Sequence, residues 1–207
     1  FRWSCSKNGG GFREYNQALN SGSHILPQTR LRHCRMKLLV SKNDIKTIIG
    51  LDGYRLFSHQ RRKKHIIKLI LDSCKPKSTI LDVGCASGDI AIELSARGYH
   101  VHAIDLKSDR LDKGRNLAEK YGQNINFENR RFQDLNDNEA YDLVLLGEVL
   151  EHFADPGQIL VKIRQLLNSN GRVLITTPNT PSLRNRLKFG LFGIFPDKNP
   201  EHKYYFD

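Results

Sequence analysis

The chain has 207 residues, which is enough for one α/β domain with a buried core and too few for two domains of ordinary size. The uncharged apolar stretch near the C-terminus, Phe189 to Pro196, is far shorter than the roughly 20 residues that span a bilayer, so no transmembrane helix is expected. The four cysteines are scattered without a C-x-x-C pair, and no secretory hydrophobic region is present in the sequence, so we expect a cytoplasmic protein.

The net charge of +11 is concentrated in the first third of the chain. Residues 1–77 carry 17 Lys and Arg against 4 Asp and Glu, whereas residues 78–207 carry 16 against 18. Several basic side chains on one surface attract polyanions, so residues 30–77 are a candidate contact for nucleic acid, anionic lipid or a phosphorylated substrate. A solvated helical face explains the same charges equally well.

Three segments are predicted along the chain. Residues 1–30 are rich in Gly, Ser and Asn without an apolar period, and we expect them to be poorly ordered or added outside the natural domain. Residues 31–77 show helical periodicity in pieces and predict a basic N-terminal helical lid. In residues 78–207 short apolar runs alternate with helical patterns, which predicts a parallel sheet flanked by helices.

The predicted core contains five strands, at residues 79–83, 100–104, 125–128, 143–146 and 172–176. Helices are predicted at residues 89–97, 108–121, 156–167 and 182–188, with a further helix beginning near Glu148. The predicted fold class is therefore α/β, a Rossmann-like, doubly wound and mostly parallel sheet with an N-terminal helical arm.

A glycine-rich turn follows the first predicted strand, in residues 82–89, and Asp105 ends the next strand. This arrangement is typical of a nucleotide site. A dinucleotide site requires G-x-G-x-x-G, but Ala86 and Asp89 occupy its second and third glycine positions. Asp82 and Asp89 would also repel a pyrophosphate, whereas they would attract a ligand that carries an ammonium and a sulfonium.

Residues 78–178 resemble the core of class I S-adenosylmethionine-dependent methyltransferases, and the stretch from Asp82 to Gly88 resembles the first motif of that family. The resemblance implies S-adenosylmethionine as cofactor and S-adenosylhomocysteine as product. It also implies that Gly84, Cys85, Ala86 and Gly88 line the methionine and ribose portion, with Asp82 near the amino group.

The same resemblance assigns the nucleoside contacts. Asp105 would accept hydrogen bonds from the ribose hydroxyls, because a carboxylate offers two acceptor oxygens to a pair of hydroxyls. Leu106 would pack against adenine, and Asp134, followed by Leu135, matches the acid that receives the adenine amino group. An alternative needs no ligand: the glycines then only permit a tight turn, and Asp134 is an ordinary loop acid.

Glu148, Glu151 and His152 follow the fourth predicted strand with the spacing E-x-x-E-H. On a helix these residues stand at i, i+3 and i+4, which predicts that they share one face at the mouth of the sheet. The motif resembles the stretch after strand four in methyltransferases of the ubiquinone-biosynthesis type. It also resembles small-RNA 2′-O-methyltransferases, in which such residues bind a divalent metal with a further histidine.

Three interpretations of this motif are open. His152 can act as a general base toward an acceptor hydroxyl, because histidine changes its protonation near neutral pH. Alternatively, Glu148, Glu151, His152 and His202 hold a divalent metal that activates the acceptor. In the third interpretation the two acids complement a helix dipole and His152 packs.

The predicted function is O-methylation of a small molecule, a lipid precursor or a sugar. Residues 177–206 resemble the acceptor-side region of a broad methyltransferase subgroup that acts on small molecules, lipids or sugars, and this resemblance does not choose among them. The alternatives are an RNA methyltransferase that uses residues 30–77, and a non-catalytic cofactor-binding scaffold subunit. The family core continues into two more strands, in the order 3-2-1-4-5-7-6. This chain ends about 30 residues after the fifth strand, so we expect a truncated C-terminal edge of the sheet.

Overall fold

The computed structural model describes residues 39–49, 53–136 and 139–178. Within these residues five parallel strands form one sheet in the order β3-β2-β1-β4-β5. The strands are β1 (Thr79–Val83), β2 (His100–Asp105), β3 (Asn126–Asn129), β4 (Tyr141–Gly147) and β5 (Leu167–Thr176).

Five α-helices accompany the sheet in the described part of the chain: α1 (Lys42–Ile49), α2 (Gly53–Ser73), α3 (Asp89–Ser95), α4 (Ser108–Lys120) and α5 (Pro156–Leu166). Single 3-10 turns lie at Phe132–Asp134 and Leu150–His152. Among these described helices, none combines the length and the apolar character needed to cross a bilayer.

The interior of the fold follows from the apolar character of the central strands. Leu81 of β1 and Val144 of β4 are completely buried, as expected when helices cover both faces of a parallel sheet. Helix α2 adds Ile66, Ile67 and Ile70 to this interior, and all three are buried. The helix ahead of the sheet is therefore packed as part of the domain.

The strand order reverses between β1 and β4, since the chain moves outward from β1 to β3 and then returns to the other side of β1. In open α/β sheets, a crevice forms at the carboxyl ends of the strands where the order reverses. The turn after β1 lies at this edge, because the amide of Cys85 donates to the carbonyl of Ile104 in β2 at 3.0 Å. The predicted site therefore lies at the position that the topology favours.

The predicted α/β fold class with a parallel sheet is confirmed by this topology. Strand β1 has the predicted bounds, and β2, β3 and β4 differ from the prediction by one to two residues at their ends. Strand β5 begins five residues earlier than predicted, at Leu167. The helix predicted at 182–188 lies outside the described residues.

The helix predicted to begin near Glu148 is wrong. Glu148 has a φ of +59°, in the left-handed region, which ends any regular helix at that residue. A single 3-10 turn follows at Leu150–His152, and α5 begins only at Pro156. The carboxylate of Asp155 accepts from the amide of Gln158 at 3.1 Å, so the Asp-Pro pair caps the helix at this point.

Buried ion pairs attach α2 to α3. Lys63 is fully buried, and its Nζ lies 3.1 Å from Oδ2 of Asp89 and 3.6 Å from Oε1 of Glu93. Arg97 adds a second cation at 2.7 Å from Glu93. Two buried carboxylates on one helix are costly unless cations accompany them, so α3 depends on α2 for its charge balance.

Replacing Lys63 therefore destabilises the fold. We expect Lys63→Ala to lower the free energy of unfolding by about 3–5 kcal/mol, because it removes a buried cation that Asp89 and Glu93 share. Urea denaturation followed by circular dichroism measures the change. The matched control is Lys64→Ala, whose side chain is exposed, and it is expected to change stability by less than about 0.5 kcal/mol. Equal stability of the two variants would contradict the proposed charge balance.

Candidate cofactor and active site

The turn after β1 requires glycine at two positions for reasons of packing. Gly84 and Gly88 have φ values of +67° and +65°. A Cβ at Gly84 would lie 2.6 Å from Cγ2 of Val149, and one at Gly88 would lie 2.5 Å from Cε1 of Phe127. Both distances are too short for a real contact, so neighbouring side chains of the protein explain these glycines without a ligand.

Ala86, between the two glycines, is strained. Its φ of +51° is unfavourable for a residue with a Cβ, and such strain persists where the surrounding structure enforces it. Here the amide of Ala86 donates to Oδ2 of Asp105 at 2.9 Å. The tip of the turn is thus held by the acid at the end of β2.

Asp105 is buried and held from three directions. Its Oδ1 accepts from the amide of Lys107 at 2.9 Å, its Oδ2 accepts from Ala86, and its carbonyl accepts from Nδ2 of Asn129 at 3.0 Å. Each carboxylate oxygen can accept one further hydrogen bond. Asp105 can therefore receive a pair of hydroxyl groups without moving, as the ribose assignment requires.

Asp82 is a buried acid whose charged neighbours are also acids. Burial raises the pKa of Asp82 to about 8, and the nearby carboxylates of Asp89 and Asp105 contribute to the same shift. A cation that entered this space would favour the ionised form of Asp82. The residues around the turn consequently fit a cationic ligand such as an ammonium or a sulfonium.

Asp89 requires a correction to the electrostatic prediction, in which both Asp82 and Asp89 repel an anion. Burial acts to raise the pKa of Asp89, but the hydrogen bond from His59 at 3.0 Å and the ammonium of Lys63 hold it at about 2. The Asp89 carboxylate is therefore ionised, and Lys63 and His59 of α2 balance its negative charge. The acids at the turn without a cationic partner from α2 are Asp82 and Asp105, and Asp82 stays protonated at neutral pH until a bound cation favours its ionised form.

The other predicted cofactor residues differ in exposure. Leu106 directly follows β2 and is 68% exposed, and Asp134 is exposed at the end of the first 3-10 turn. The Leu135 side chain is buried in the core, which favours a structural role for it. Cys85 is also buried, and burial raises the pKa of its thiol, so the thiol stays protonated.

The three candidate catalytic residues are separated by the backbone turn at Glu148. The Glu148 carboxylate forms an ion pair with Arg62 of α2, while its amide donates to the carbonyl of Thr176 in β5 at 2.8 Å. Glu151 is only 1% exposed, and His152 is half-buried. The prediction that all three project from one helical face is therefore wrong.

A metal site is not formed by the residues that the structure describes, since no three His, Cys, Asp or Glu side chains among them lie close enough to share an ion. His202, the fourth predicted ligand, lies outside the described residues. The assignment of Glu148, Glu151, His152 and His202 to a metal stays a prediction.

Sequence reasoning missed the inward-facing residues of α2. The charge pattern places the run Arg61 to Lys64 on a basic surface, yet Arg62 binds Glu148 and Lys63 is buried against α3. The signal that could have found them is the apolar periodicity of Ile66, Ile67 and Ile70, which places Lys63 on the same face of the helix.

A family model described as a methyltransferase domain matches residues 55–207. The chain belongs to this methyltransferase family. The predicted family is thereby confirmed, and S-adenosylmethionine is the cofactor that this family uses. The match begins within α2, in agreement with the packing of that helix against the sheet domain.

A curated relative shares the methyltransferase domain in part. The ubiquinone biosynthesis O-methyltransferase of Rickettsia prowazekii is 34% identical over 145 residues, which cover 67% of this chain and 56% of that protein. The corresponding protein of Aeromonas salmonicida is 33% identical over 102 residues, which cover 48% of this chain and 43% of that protein. The chain thus spans about half the length of the curated relatives it matches.

A solved structure with a bound nucleoside shares the fold of this methyltransferase domain. Magnesium protoporphyrin IX methyltransferase from Synechocystis, with bound S-adenosylhomocysteine, superposes with a TM-score of 0.56 at 22% identity, covering 75% of this chain and 74% of that one. At this level of identity the likeness supports the fold.

The raised pKa of Asp82 predicts a pH-dependent stability. Between about pH 4, where the carboxyl ionises in the unfolded chain, and pH 8, where it ionises in the folded protein, the folded state binds the extra proton. The contribution of the protonated Asp82 carboxyl to the free energy of unfolding therefore falls as the pH rises through this window. Asp82→Asn cannot ionise, so its free energy of unfolding relative to wild type should increase from pH 5 to 8 by up to about 1.4 kcal/mol per pH unit.

Urea titrations at pH 5, 6.5 and 8 measure this difference. The control is Asp109→Asn at the exposed start of α4, for which we expect no such trend. Parallel stability curves for Asp82→Asn and wild type would show that Asp82 ionises normally in the fold.

Proposed function

We propose that the chain is the donor-binding part of an S-adenosylmethionine-dependent O-methyltransferase that acts on a small molecule or lipid precursor. The observation that carries the proposal is the pair of buried acids, Asp82 and Asp105, that flanks the glycine turn at the switch point of the sheet. The names of the curated relatives suggest an intermediate of ubiquinone biosynthesis as acceptor. A cytoplasmic location stays a prediction.

The donor is proposed to lie across the carboxyl ends of β1 and β2. Asp82 supports the positive charge of the methionine portion, and Asp105 accepts hydrogen bonds from the ribose. The exposed Leu106 side chain provides an apolar surface for adenine, and Asp134 receives the adenine amino group. This arrangement uses the free acceptor capacity of Asp105 and the exposed positions of Leu106 and Asp134.

When bound, S-adenosylmethionine supplies an electrophilic methyl group with a neutral thioether as leaving group. The protein then has to align an acceptor oxygen with that methyl group, exclude water and accept the hydroxyl proton. We assign the proton to His152. Glu148 is engaged by Arg62 and Glu151 is buried, whereas His152 is half-buried at the end of the turn after β4.

A turnover assay tests the proposal. The purified chain is incubated with methyl-labelled S-adenosylmethionine and a short-tailed ubiquinone precursor that carries a free ring hydroxyl, and the product is analysed by mass spectrometry. We expect equal amounts of S-adenosylhomocysteine and O-methylated product. Asp105→Ala is expected to lose donor binding in calorimetry. Donor binding without turnover on any hydroxyl acceptor would favour the non-catalytic scaffold instead.

The role of His152 predicts a separation between rate and binding. His152→Ala should lower kcat by roughly 100-fold or more, the usual contribution of a general base, while the donor Kd stays unchanged. The control is His65→Ala, which removes an exposed histidine of α2. A kcat for His152→Ala within about twofold of wild type would eliminate the general-base assignment.

RNA methylation is a second candidate that one observation favours. Arg61, Lys64 and Lys68 are exposed at helical spacing on the outer side of α2, so some of the basic charge remains available to a polyanion. If RNA is the acceptor, its affinity should fall steeply as the salt concentration rises from low to moderate values. The triple alanine variant should then reduce the salt slope by about one for each phosphate that it no longer neutralises. Absence of RNA binding at low salt would remove this candidate.

A further inference from the structure

Two consecutive residues at the carboxyl end of β3 bind the backbone of both acids assigned to the nucleoside. Nδ2 of Asn129 donates to the carbonyl of Asp105 at 3.0 Å, and Nη2 of Arg130 donates to the carbonyl of Asp134 at 2.7 Å. We propose that Asn129 and Arg130 are positioning residues that set the separation of the ribose acid and the adenine acid, and so make the site specific for an adenine nucleoside. This inference rests on the proposed function.

Arg130 is itself held at its other nitrogen. Nη1 lies 3.4 Å from Oε1 of Glu128 and 3.4 Å from Oε1 of Glu139. Because the guanidinium is planar and its donors are fixed relative to one another, two contacts at Nη1 determine the direction of Nη2. The bond to the Asp134 carbonyl is therefore made by a donor whose orientation is already set.

The two carboxylates are anchored to the sheet through a closed polar ring. Oε2 of Glu128 contacts Nε2 of His102 at 2.9 Å, and Nδ1 of His102 contacts the Tyr141 hydroxyl at 2.6 Å. The Tyr141 hydroxyl in turn donates to Glu139. Burial, followed by the Glu139 carboxylate, raises the pKa of Tyr141, so this hydroxyl stays a donor. The ring draws on β2, β3 and β4, so the sheet itself determines where Arg130 lies.

Asn129 has the corresponding role toward Asp105. The carboxylate of Asp105 is held by the amides of Ala86 and Lys107, and the Asn129 side chain holds its backbone. Both acids thus take their positions from the end of one strand. Adjacent residues cannot shift independently by much, so the end of β3 sets the distance between the backbone of Asp105 and the backbone of Asp134, from which the two carboxylates project.

A fixed backbone separation favours base specificity because the carboxylate of Asp134 can only accept hydrogen bonds when it is ionised. Adenine offers an amino group at its exocyclic position, whereas hypoxanthine offers a carbonyl that would face the carboxylate with no hydrogen between them. A site built to accept an N–H group discriminates strongly against an analogue that lacks it. If Asp134 were able to move, it could avoid the carbonyl and this discrimination would fall.

Calorimetry with two nucleosides tests the inference. S-adenosylhomocysteine and its hypoxanthine analogue, S-inosylhomocysteine, are titrated into wild type, Arg130→Gln and Arg131→Gln. We expect wild type to prefer S-adenosylhomocysteine at least about tenfold, the size of one hydrogen bond to a charged acceptor. Arg130→Gln should reduce the preference to within about threefold. Arg131, with an exposed side chain next in sequence, is the matched control and should keep the wild-type ratio.

Asn129→Ala provides the complementary measurement. It should keep the base preference and reduce the preference for S-adenosylhomocysteine over its 2′,3′-dideoxy analogue, because it loosens the ribose acid alone. If either residue had a purely structural role, its replacement would weaken the binding of all three nucleosides by the same factor. The affinity ratio for the base and the affinity ratio for the ribose hydroxyls would then stay unchanged.

The outcomes separate the inference from the proposed function. If wild type binds neither nucleoside, the proposed function fails. If it binds both equally, or if folded Arg130→Gln keeps the wild-type ratio, donor binding stands and the inference is overturned. Should Arg130→Gln fail to fold, Arg130→Lys replaces it. Lysine keeps a charge beside Glu128 and Glu139 but lacks the second nitrogen of the planar guanidinium. The preference for S-adenosylhomocysteine over S-inosylhomocysteine should therefore still fall below about threefold.

Discussion

The burial of three acidic side chains at one turn is the constraint to which the rest of the structure responds. Asp82, Asp89 and Asp105 are all buried, and the charges of Asp89 and Asp105 raise the cost of ionising Asp82. Each of the three carboxyl groups has a different environment. Asp89 receives a cation and a hydrogen bond from α2, Asp105 receives backbone amides, and Asp82 keeps a raised pKa. Asp82 is consequently the acid best placed to gain from a bound cation.

Helix α2 is an integral part of the domain because it completes this charge balance. Arg62 donates to Nδ1 of His59 at 3.3 Å, so Nε2 of His59 is the donor to Asp89. Since Arg62 also binds Glu148, a continuous polar connection runs from the end of β4 through α2 to the start of α3. The proposed donor side and the proposed catalytic side of the site are therefore joined by α2 as well as by the sheet.

Local sequence signals predict the secondary-structure elements that are determined by residues adjacent in the chain. The buried run of β1, the glycine turn and the Asp155-Pro156 start of α5 each depend on residues next to one another in the chain. The predicted β5 is too short because Asn168 to Gly171 have the composition of a turn. In the structure, α5 passes directly into β5 and an irregular register between Tyr141 and Leu143 accommodates these residues.

The errors at the candidate site have long-range causes. Helical spacing suggests that Glu148, Glu151 and His152 share a face, but the left-handed backbone at Glu148 coincides with its amide bond to Thr176 and its ion pair with Arg62. These partners lie 28 and 86 residues away in sequence, so no local pattern contains them. The proposed cofactor residues can be identified from the sequence because one strand, one turn and the end of the next strand supply most of them.

The two halves of the site differ in how they are built, and this difference bears on substrate choice. The donor half is held by hydrogen bonds that involve backbone atoms at the ends of β1, β2 and β3, such as those from Ala86 and Asn129 to Asp105. The half that follows β4 has one backbone bond to the sheet, from Glu148 to Thr176, and adds to it a side-chain ion pair between Glu148 and α2. Side-chain pairs can be exchanged without altering the strands, whereas backbone bonds at strand ends change only with the sheet. The proposed donor site is therefore a property of the fold, and the proposed acceptor side can change around it.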